Sequence, residues 1–458
     1  MPDSKWPFLP AANSGSKSSD APRPQTRRLR AVHKHLNDAI NYVSSSIGCY
    51  CKSPGFDFTR KRKLPPEELM KFLIQFQSKS LSSEIGDYFT DMEVPPSVSA
   101  VIQQRRKLDP RALYRVFTLF TDSINVNNRF QGYRLLASDG SDINIPYNPE
   151  DSETYHIQNG MARGFNQLHL NALYDVLNRC YADIEIDTAA KSNEPNAAEE
   201  MLEKNAEKYG KFIYIADRGY EKYQLLAFLT ENQIKYIIRV KDISSNGILS
   251  TMNLKDEEFD LDLGKEITRL QTNEVKRHPE KYVRIMNNQV FRFLPIEEES
   301  YYLNFRAVRF KITDDTYECL ITNLPGDQFP ISVMKELYHQ RWGIEGSFRE
   351  LKYTIGLTEF HGRNIQFLYQ EIYARTILYN LCQFIVAAVP SEKSATIHEY
   401  RFNFSSAVTN IRQYLAGHID EEKLILRIKK FLIPIRPGRS FVRNIRSQSA
   451  KLFTYRSA

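Results

Sequence analysis

The sequence has few cysteines and no long hydrophobic run. Its five cysteines, at positions 49, 51, 180, 319 and 382 of 458 residues, form no CxxC pair and exclude a disulfide scaffold. The longest apolar stretches, such as Leu381 to Val389 with Gln383 inside it, are far shorter than the about 20 residues that cross a bilayer. The first 25 residues lack the apolar segment of a secretory signal. These absences predict a cytoplasmic protein without a membrane span.

Charge is distributed unevenly along the chain. The net charge is +7, but residues 1–80 contain 14 Lys and Arg against 6 Asp and Glu, and residues 421–458 contain 10 against 2. Each end therefore carries +8, and the middle of the chain carries −9. Basic ends that bind phosphates around an acidic centre that holds cations would produce this pattern, and so would ends that only improve solubility.

The length and composition predict two to four globular domains, because 42% of the residues are hydrophobic and 26% are charged. The first 26 residues, the leader, are low in complexity. After them, apolar residues recur at three- to four-residue spacing, as in Leu69, Phe72, Leu73 and Phe76, and this spacing predicts helices. We divide the chain into a disordered leader (1–26), a helical domain (27–125), a mixed α/β domain (126–241 and 311–388), a β insertion (242–310) and a basic, helical C-terminal region (389–458).

Three basic runs lie in the helical domain, at residues 27–30, 60–63 and 103–107. Such runs are candidate phosphate contacts, although a solvated helix face produces them about as often.

The order of predicted elements in the mixed domain is three strands, helix, strand, helix, strand. The insertion has strand-like runs at 281–285, 290–294 and 301–310. A single long helix is predicted from about Ser332 to Thr354, followed by an apolar helix over about 370–388. The pattern indicates a mixed α/β fold.

Two aspartates follow hydrophobic strands. Asp139 begins the sequence Asp-Gly-Ser, and Asp217 follows the buried run 211–216 and precedes Arg218-Gly219. A carboxylate at the end of a strand can project into a site, although aspartate is also common in ordinary turns.

The predicted long helix carries a polar stripe. Tyr338, Arg341, Glu345 and Lys352 fall within about 60° of one another on a helix. The stripe either borders a cleft or is only the polar side of an amphipathic helix, with an ion pair between Arg341 and Glu345.

Together, Asp139, Asp217 and Glu345 supply three carboxylates from two strands and a helix. Hard oxygen donors of this kind suit Mg²⁺ or Mn²⁺. Two such ions can activate a water or a 3′-hydroxyl and stabilise the leaving oxygen, which is phosphodiester chemistry.

The motifs Asp-Gly-Ser at 139–141, Ala-Asp-Arg-Gly-Tyr at 216–220 and Tyr-(2)-Arg-(3)-Glu-(6)-Lys at 338–352 resemble those of the DDE transposases of bacterial insertion-sequence family four. The resemblance covers about residues 130–385 and implies an RNase H-like, retroviral-integrase-like core with a β insertion. It implies that Asp139, Asp217 and Glu345 bind two Mg²⁺ or Mn²⁺ ions. It also implies that DNA is contacted by a set of further side chains, namely Tyr338, Arg341, Lys352, Arg218 and Arg239.

Several positions leave alternatives. Asp142 is a second candidate for the first carboxylate, but the Asp-Gly-Ser context favours Asp139. Glu350 competes with Glu345 but should face away from the stripe. Trp342 either stacks on an unpaired or flipped base or packs at the rim of the core.

We therefore expect a transposase that binds its terminal inverted repeats through the helical domain and the basic C-terminus, cleaves the ends, and joins the 3′-hydroxyl to target DNA. The resemblance further implies a bacterial, nucleoid-associated protein that acts as a homodimer on double-stranded DNA, with cleavage through a DNA hairpin in some relatives. The alternatives are an RNase H-like nuclease without strand transfer and a non-catalytic DNA-binding derivative.

Deletion of residues 421–458 should reduce the salt dependence of DNA binding if these residues contact phosphates, because each lost contact removes released counterions. The slope of log K against log salt concentration measures this for the full and shortened chains. Equal slopes would contradict a phosphate-binding role for this end.

Overall fold

The computed structural model describes residues 24–60, 62–157, 163–188, 191–295, 297–314, 316–390 and 400–435. The predicted leader over residues 1–26 and the basic segment after residue 435 lie almost entirely outside the described residues. None of the described helices combines the length and the hydropathy needed to cross a bilayer.

The described part of the predicted helical domain is helical. Ser80, Ser97 and Asp109 begin three of its helices, and their side chains accept hydrogen bonds from free backbone N–H groups of the first turn. The helices are α1 (Pro24–Ser45), α2 (Pro66–Ile74), α3 (Leu81–Tyr88), α4 (Val98–Lys107) and α5 (Pro110–Ser123), with a 3₁₀ turn at Ile47–Tyr50.

A mixed ten-stranded sheet forms the centre of the molecule, as the predicted mixed α/β fold requires. Its strands are β1 (Arg134–Ile145), β2 (Tyr155–His156), β3 (Phe165–Asp175), β4 (Cys180–Thr188), β5 (Phe212–Ala216), β6 (Lys235–Val240), β7 (Phe259–Thr268), β8 (Tyr282–Arg284), β9 (Ser300–Thr313) and β10 (Thr316–Thr322). They lie in the order β2-β3-β1-β5-β6-β10-β9-β7-β8, and β4 also pairs with β3.

Strands β1, β5 and β6 are parallel, whereas β3 runs antiparallel to β1, and β4 antiparallel to β3. The parallel connections contain α6 (Glu194–Tyr209) and α7 (Tyr223–Glu231). This sequence of elements confirms the predicted order of three strands, helix, strand, helix, strand, apart from the additional two-residue strand β2.

Successive apolar side chains of β1 and β5 point to opposite faces of the sheet, and both faces are buried there. Leu135 and Ala137 of β1 join the core that contains the helices α1–α5. Leu136 and Tyr214 point the other way and pack with α6 and α7. The amino-terminal helices therefore share one hydrophobic core with the sheet.

The β insertion extends this sheet rather than forming a separate one. Strands β7 and β9 pair antiparallel, β9 pairs with β10, and β10 pairs with β6 of the central sheet. The predicted strand at 290–294 is wrong, since that segment contains turns and no strand, and a short helix, α8 (Asn273–Arg277), lies between β7 and β8.

The single long helix predicted over 332–354 is interrupted. It consists of α9 (Ile331–Gln340), α10 (Trp342–Arg349) and a π-helical turn at Glu350–Ile355, which ends at Gly356. Gly356 has φ of 95°, a left-handed conformation that glycine adopts without strain.

The longest described helix, α11 (Ile365–Ala388), packs against α5, α1 and α2. The C-terminal region adds α12 (Phe404–Leu415) and α13 (Glu421–Lys430), with a small sheet of β11 (Tyr400–Phe402) and β12 (Leu432–Pro434).

A buried ion pair joins α4 to α11. Arg105 is 1% exposed and donates from Nη2 to Glu371 Oε1 at 2.9 Å and from Nε to Gln370 Oε1 at 3.2 Å. His361 Nδ1 lies 3.1 Å from the other oxygen of Glu371. Arg105 belongs to the basic run 103–107, so this member of the run is directed inward and is not available to a phosphate.

Arg105→Ala should destabilise the protein by about 3–5 kcal/mol, because it leaves the buried Glu371 carboxylate without its arginine. Urea unfolding of the purified chain measures the change, and Arg106→Ala, on the exposed side of the same helix, is the control. The control should change stability by about 0.5 kcal/mol or less. Equal effects of the two variants would contradict the stabilising role of the buried pair.

Candidate active site

Asp139 and Asp217 occupy equivalent positions on neighbouring parallel strands. The paired residues of β1 and β5 include Ala137 opposite Ile215, and continuing this register by two residues places Asp139 opposite Asp217. Neighbouring strands lie about 4.8 Å apart, so the two aspartates meet at one edge of the sheet. The predicted strand-end position is correct for Asp217, which directly follows β5, but wrong for Asp139, which lies in the middle of β1 because the pairing of β1 with β3 continues beyond it.

Asp139 is largely buried, and its Oδ1 accepts a hydrogen bond from the N–H of Gly140 at 3.0 Å. Burial raises the pKa of Asp139 to about 7, Arg341 opposes this shift, and the negative charges of Asp217 and Glu194 add to it. A carboxyl group in such surroundings favours a cation or a proton.

Asp217 ends β5 and caps a 3₁₀ turn at Arg218–Tyr220. Its Oδ1 accepts a hydrogen bond from Gly219 N–H at 2.8 Å. The cap fixes the side chain at the strand end.

Arg341 links two of the three predicted carboxylates. Its Nη2 donates to Glu345 Oε1 at 2.7 Å, and its Nη1 lies 3.7 Å from Asp139 Oδ2. The arginine side chain is 5% exposed, whereas that of Glu345 is 30% exposed, so the carboxylate still reaches the surface. The structure thus brings Asp139, Asp217 and Glu345 to one region, with Arg341 between two of them.

Lys352 and Asp142 meet on the same side of β1. Lys352 Nζ donates to the backbone carbonyl of Asp142 at 2.6 Å. The Asp142 carboxylate is 2.8 Å from His169 Nδ1. Asp142 already has this partner, which favours Asp139 as the first carboxylate.

Glu350 lies away from the stripe, as expected. It accepts hydrogen bonds from Tyr379 Oη at 3.0 Å and from Gln383 at 3.2 Å.

The remaining predicted DNA contacts differ in accessibility. Arg218 is exposed, and Trp342 is half-exposed beside Arg341. Arg239 Nε lies 3.3 Å from Glu318 Oε1 and is partly open to solvent. Tyr338 is almost fully buried, and its hydroxyl has no hydrogen-bond partner among the described residues, so its DNA contact stays a prediction.

Sequence reasoning missed His169 and Glu194. His169, on β3, lies 2.8 Å from Asp142 Oδ1 and 3.2 Å from Glu194 Oε1. Burial lowers the pKa of His169, but the hydrogen bond to Asp142 and the nearby carboxylate of Glu194 outweigh burial and raise this pKa to about 9. The imidazole is therefore a cation at neutral pH. The pair Asp142 and His169 lies in direct register across β1 and β3, and such a pairing has no short sequence motif.

Carboxylate oxygens are hard donors, so this set of residues fits a divalent cation in its chemistry. The nearby carboxylates also repel one another, and a bound cation would relieve that repulsion. Among the described residues, however, no three His, Cys, Asp or Glu side chains lie in an arrangement that would already hold an ion. To bind an ion, Glu345 would have to give up its ion pair with Arg341.

These features define a class of α/β protein with an acidic site at the edge of a mixed sheet, and comparison with known proteins identifies its family. Residues 130–381, more than half of the chain, match the family model described as Transposase DDE domain. The chain belongs to this transposase family.

A curated relative agrees with the family-four resemblance. The chain is 23% identical over 374 residues to the transposase InsG for insertion sequence element IS4 of Escherichia coli strain K12, and the alignment covers 78% of each protein. A solved structure, the piggyBac transposase synaptic complex with hairpin DNA, matches with a TM-score of 0.45 and 10% identity, covering 91% of this chain and 87% of that one.

His169→Gln should destabilise the protein most at pH 6 and progressively less as the pH rises toward 9. The pKa of His169 is raised, so its stabilisation is complete below about pH 6.5 and is lost as the pH rises through about 9. The loss at pH 6 should be on the order of 1–3 kcal/mol.

Urea unfolding of wild type and variant between pH 6 and 10 measures this difference. His418→Gln, which removes an exposed imidazole, is the control. A difference for His169→Gln that does not change with pH would contradict a charged His169.

Proposed function

We propose that this protein is a DNA transposase that binds the terminal inverted repeats of its insertion sequence, cleaves the ends and transesterifies the 3′-hydroxyl into target DNA. The observation that carries the proposal is the convergence of Asp139, Asp217 and Glu345 at one edge of the sheet. Membership of the transposase family supports the same reaction.

The topology supports an RNase H-like core. Five strands lie side by side in the order β4-β3-β1-β5-β6, with the first three antiparallel and the last three parallel. The central strand β1 carries Asp139, its parallel neighbour leads to Asp217, and a later helix brings Glu345. This is the arrangement that the family resemblance implies.

Asp139 and Asp217 would hold a divalent ion, Mg²⁺ or Mn²⁺, and Glu345 would complete the site. When bound, such ions supply Lewis acidity and an activated oxygen nucleophile for phosphodiester cleavage. The protein's own contribution is to hold the two aspartates on neighbouring strands and to keep Arg341 beside Asp139 and Glu345, where a DNA phosphate can replace a carboxylate as its partner.

DNA would approach over the exposed side of this site. Arg218 and Trp342 are exposed there. Lys352 lies in the π-helical turn that follows α10, and Arg239 lies on β6, the strand next to β5. Tyr338 would have to leave its buried position to contact the backbone. The amino-terminal helices and the basic C-terminal region would bind the transposon ends, and two copies of the chain would hold the two ends together in the bacterial cytoplasm.

One observation favours a non-catalytic DNA-binding derivative as the second candidate. The single positive charge of Arg341 offsets part of the negative charge of Asp139 and Glu345, so the site is partly compensated without a metal. Cleavage by the purified protein decides between the candidates, and joined products with a 3′-hydroxyl donor distinguish a transposase from a nuclease without strand transfer.

Asp217→Asn and Glu345→Gln should each reduce cleavage of a supercoiled plasmid carrying the element's two ends by more than about 10²-fold, because each removes a metal ligand. Nicked and linear products on a gel measure the loss. Glu336→Gln, an exposed position on α9, is the matched control and should cleave at the wild-type rate. Undiminished cleavage by either site variant would refute the site assignment.

A further inference from the structure

Glu194 lies close to the two glycines that follow the aspartates, Gly140 and Gly219. A Cβ atom added to Gly140, next to Asp139, would overlap Oε1 of Glu194 and Nε2 of His169. A Cβ added to Gly219 would lie 3.6 Å from Oε2 of the same glutamate and 3.0 Å from Asp217 Oδ1. Gly140 therefore leaves the space that the Glu194 carboxylate occupies, and the other oxygen of Glu194 lies within ordinary contact distance of the Gly219 position.

The position of Glu194 is fixed from two sides. It is the first residue of α6, whose preceding residue, Asn193, caps the helix with its side chain. Its Oε1 lies 3.2 Å from His169, and Asp142 holds the other ring nitrogen of that histidine. His169 is 7% exposed, and a buried ring held by one carboxylate orients the second carboxylate.

We propose that Glu194 is a fourth carboxylate of the candidate metal site and that His169 is a positioning residue that directs it toward Asp139 and Asp217. The ligand class is a divalent cation that prefers oxygen donors. This inference rests on the proposed function, since it adds a residue to the same site.

The surroundings of Glu194 argue against a purely structural ion pair. Its side chain is 31% exposed, so it is open to the solvent-facing side of the site while His169 is buried. Its carboxylate lies against Gly140, the residue next to Asp139.

Binding of Mn²⁺ alone to the full-length protein, followed by the electron paramagnetic resonance signal of the free ion, tests the proposal without any reaction. Glu194→Gln should raise the Kd for Mn²⁺ about tenfold or more, and His169→Gln should raise it by about tenfold, because the carboxylate loses its support. Glu207→Gln, an exposed glutamate on the same helix, is the matched control and should bind as the wild type does. Asp139→Asn is the control for the site itself.

The outcomes separate this inference from the proposed function. If Asp139→Asn weakens binding and Glu194→Gln does not, the role of Glu194 is refuted while the site stands. If Asp139→Asn binds like the wild type, or the wild type shows no saturable binding, both fall. If Glu194→Gln lowers the melting temperature but leaves the Kd for Mn²⁺ unchanged, Glu194 has only a structural role, and the proposal is refuted.

Discussion

The parallel pairing of β1 with β5 is the constraint on which the site depends. It brings two aspartates from distant parts of the chain to the same level of the sheet, because parallel neighbours end at one edge. Helix α10 then needs only to cross this edge to add Glu345. A shift of one residue in the β1–β5 register would separate the aspartates and turn one side chain to the opposite face.

Buried charge provides the rigid support behind this edge. Arg105, Glu371 and His361 form a closed network among the helices, and Arg375 donates to the backbone carbonyls of Phe76 and Ile355. Such groups join α11 to α4, to the segment after α2 and to the π-helical turn that follows α10. The same chemistry recurs at the site, where Arg341 is shared by two carboxylates.

Much of the fold and part of the site could be predicted from the sequence. Asp139 and Asp217 follow hydrophobic strands, and helical spacing places Arg341 beside Glu345, so local patterns were sufficient there. His169 and Glu194 were missed because they become neighbours only through strand register and the start of α6. The inward direction of Arg105 and the burial of Tyr338 were also missed, since both depend on which surface packs against another layer. The break at Arg341 was also missed. The backbone angles of this residue stay helical, so the three- and four-residue spacing of the side chains continues across the break.

The route of the chain through the insertion has a consequence for how this fold can vary. The insertion leaves from β6 and returns through β10, and these two strands pair directly, with Val240 opposite Cys319. Its entry and exit are therefore side by side, as in the loop of a hairpin. Lengthening or shortening the chain between them would leave the β6–β10 hydrogen bonds in place, so strands can be gained or lost here without a change in the strands that carry the two aspartates.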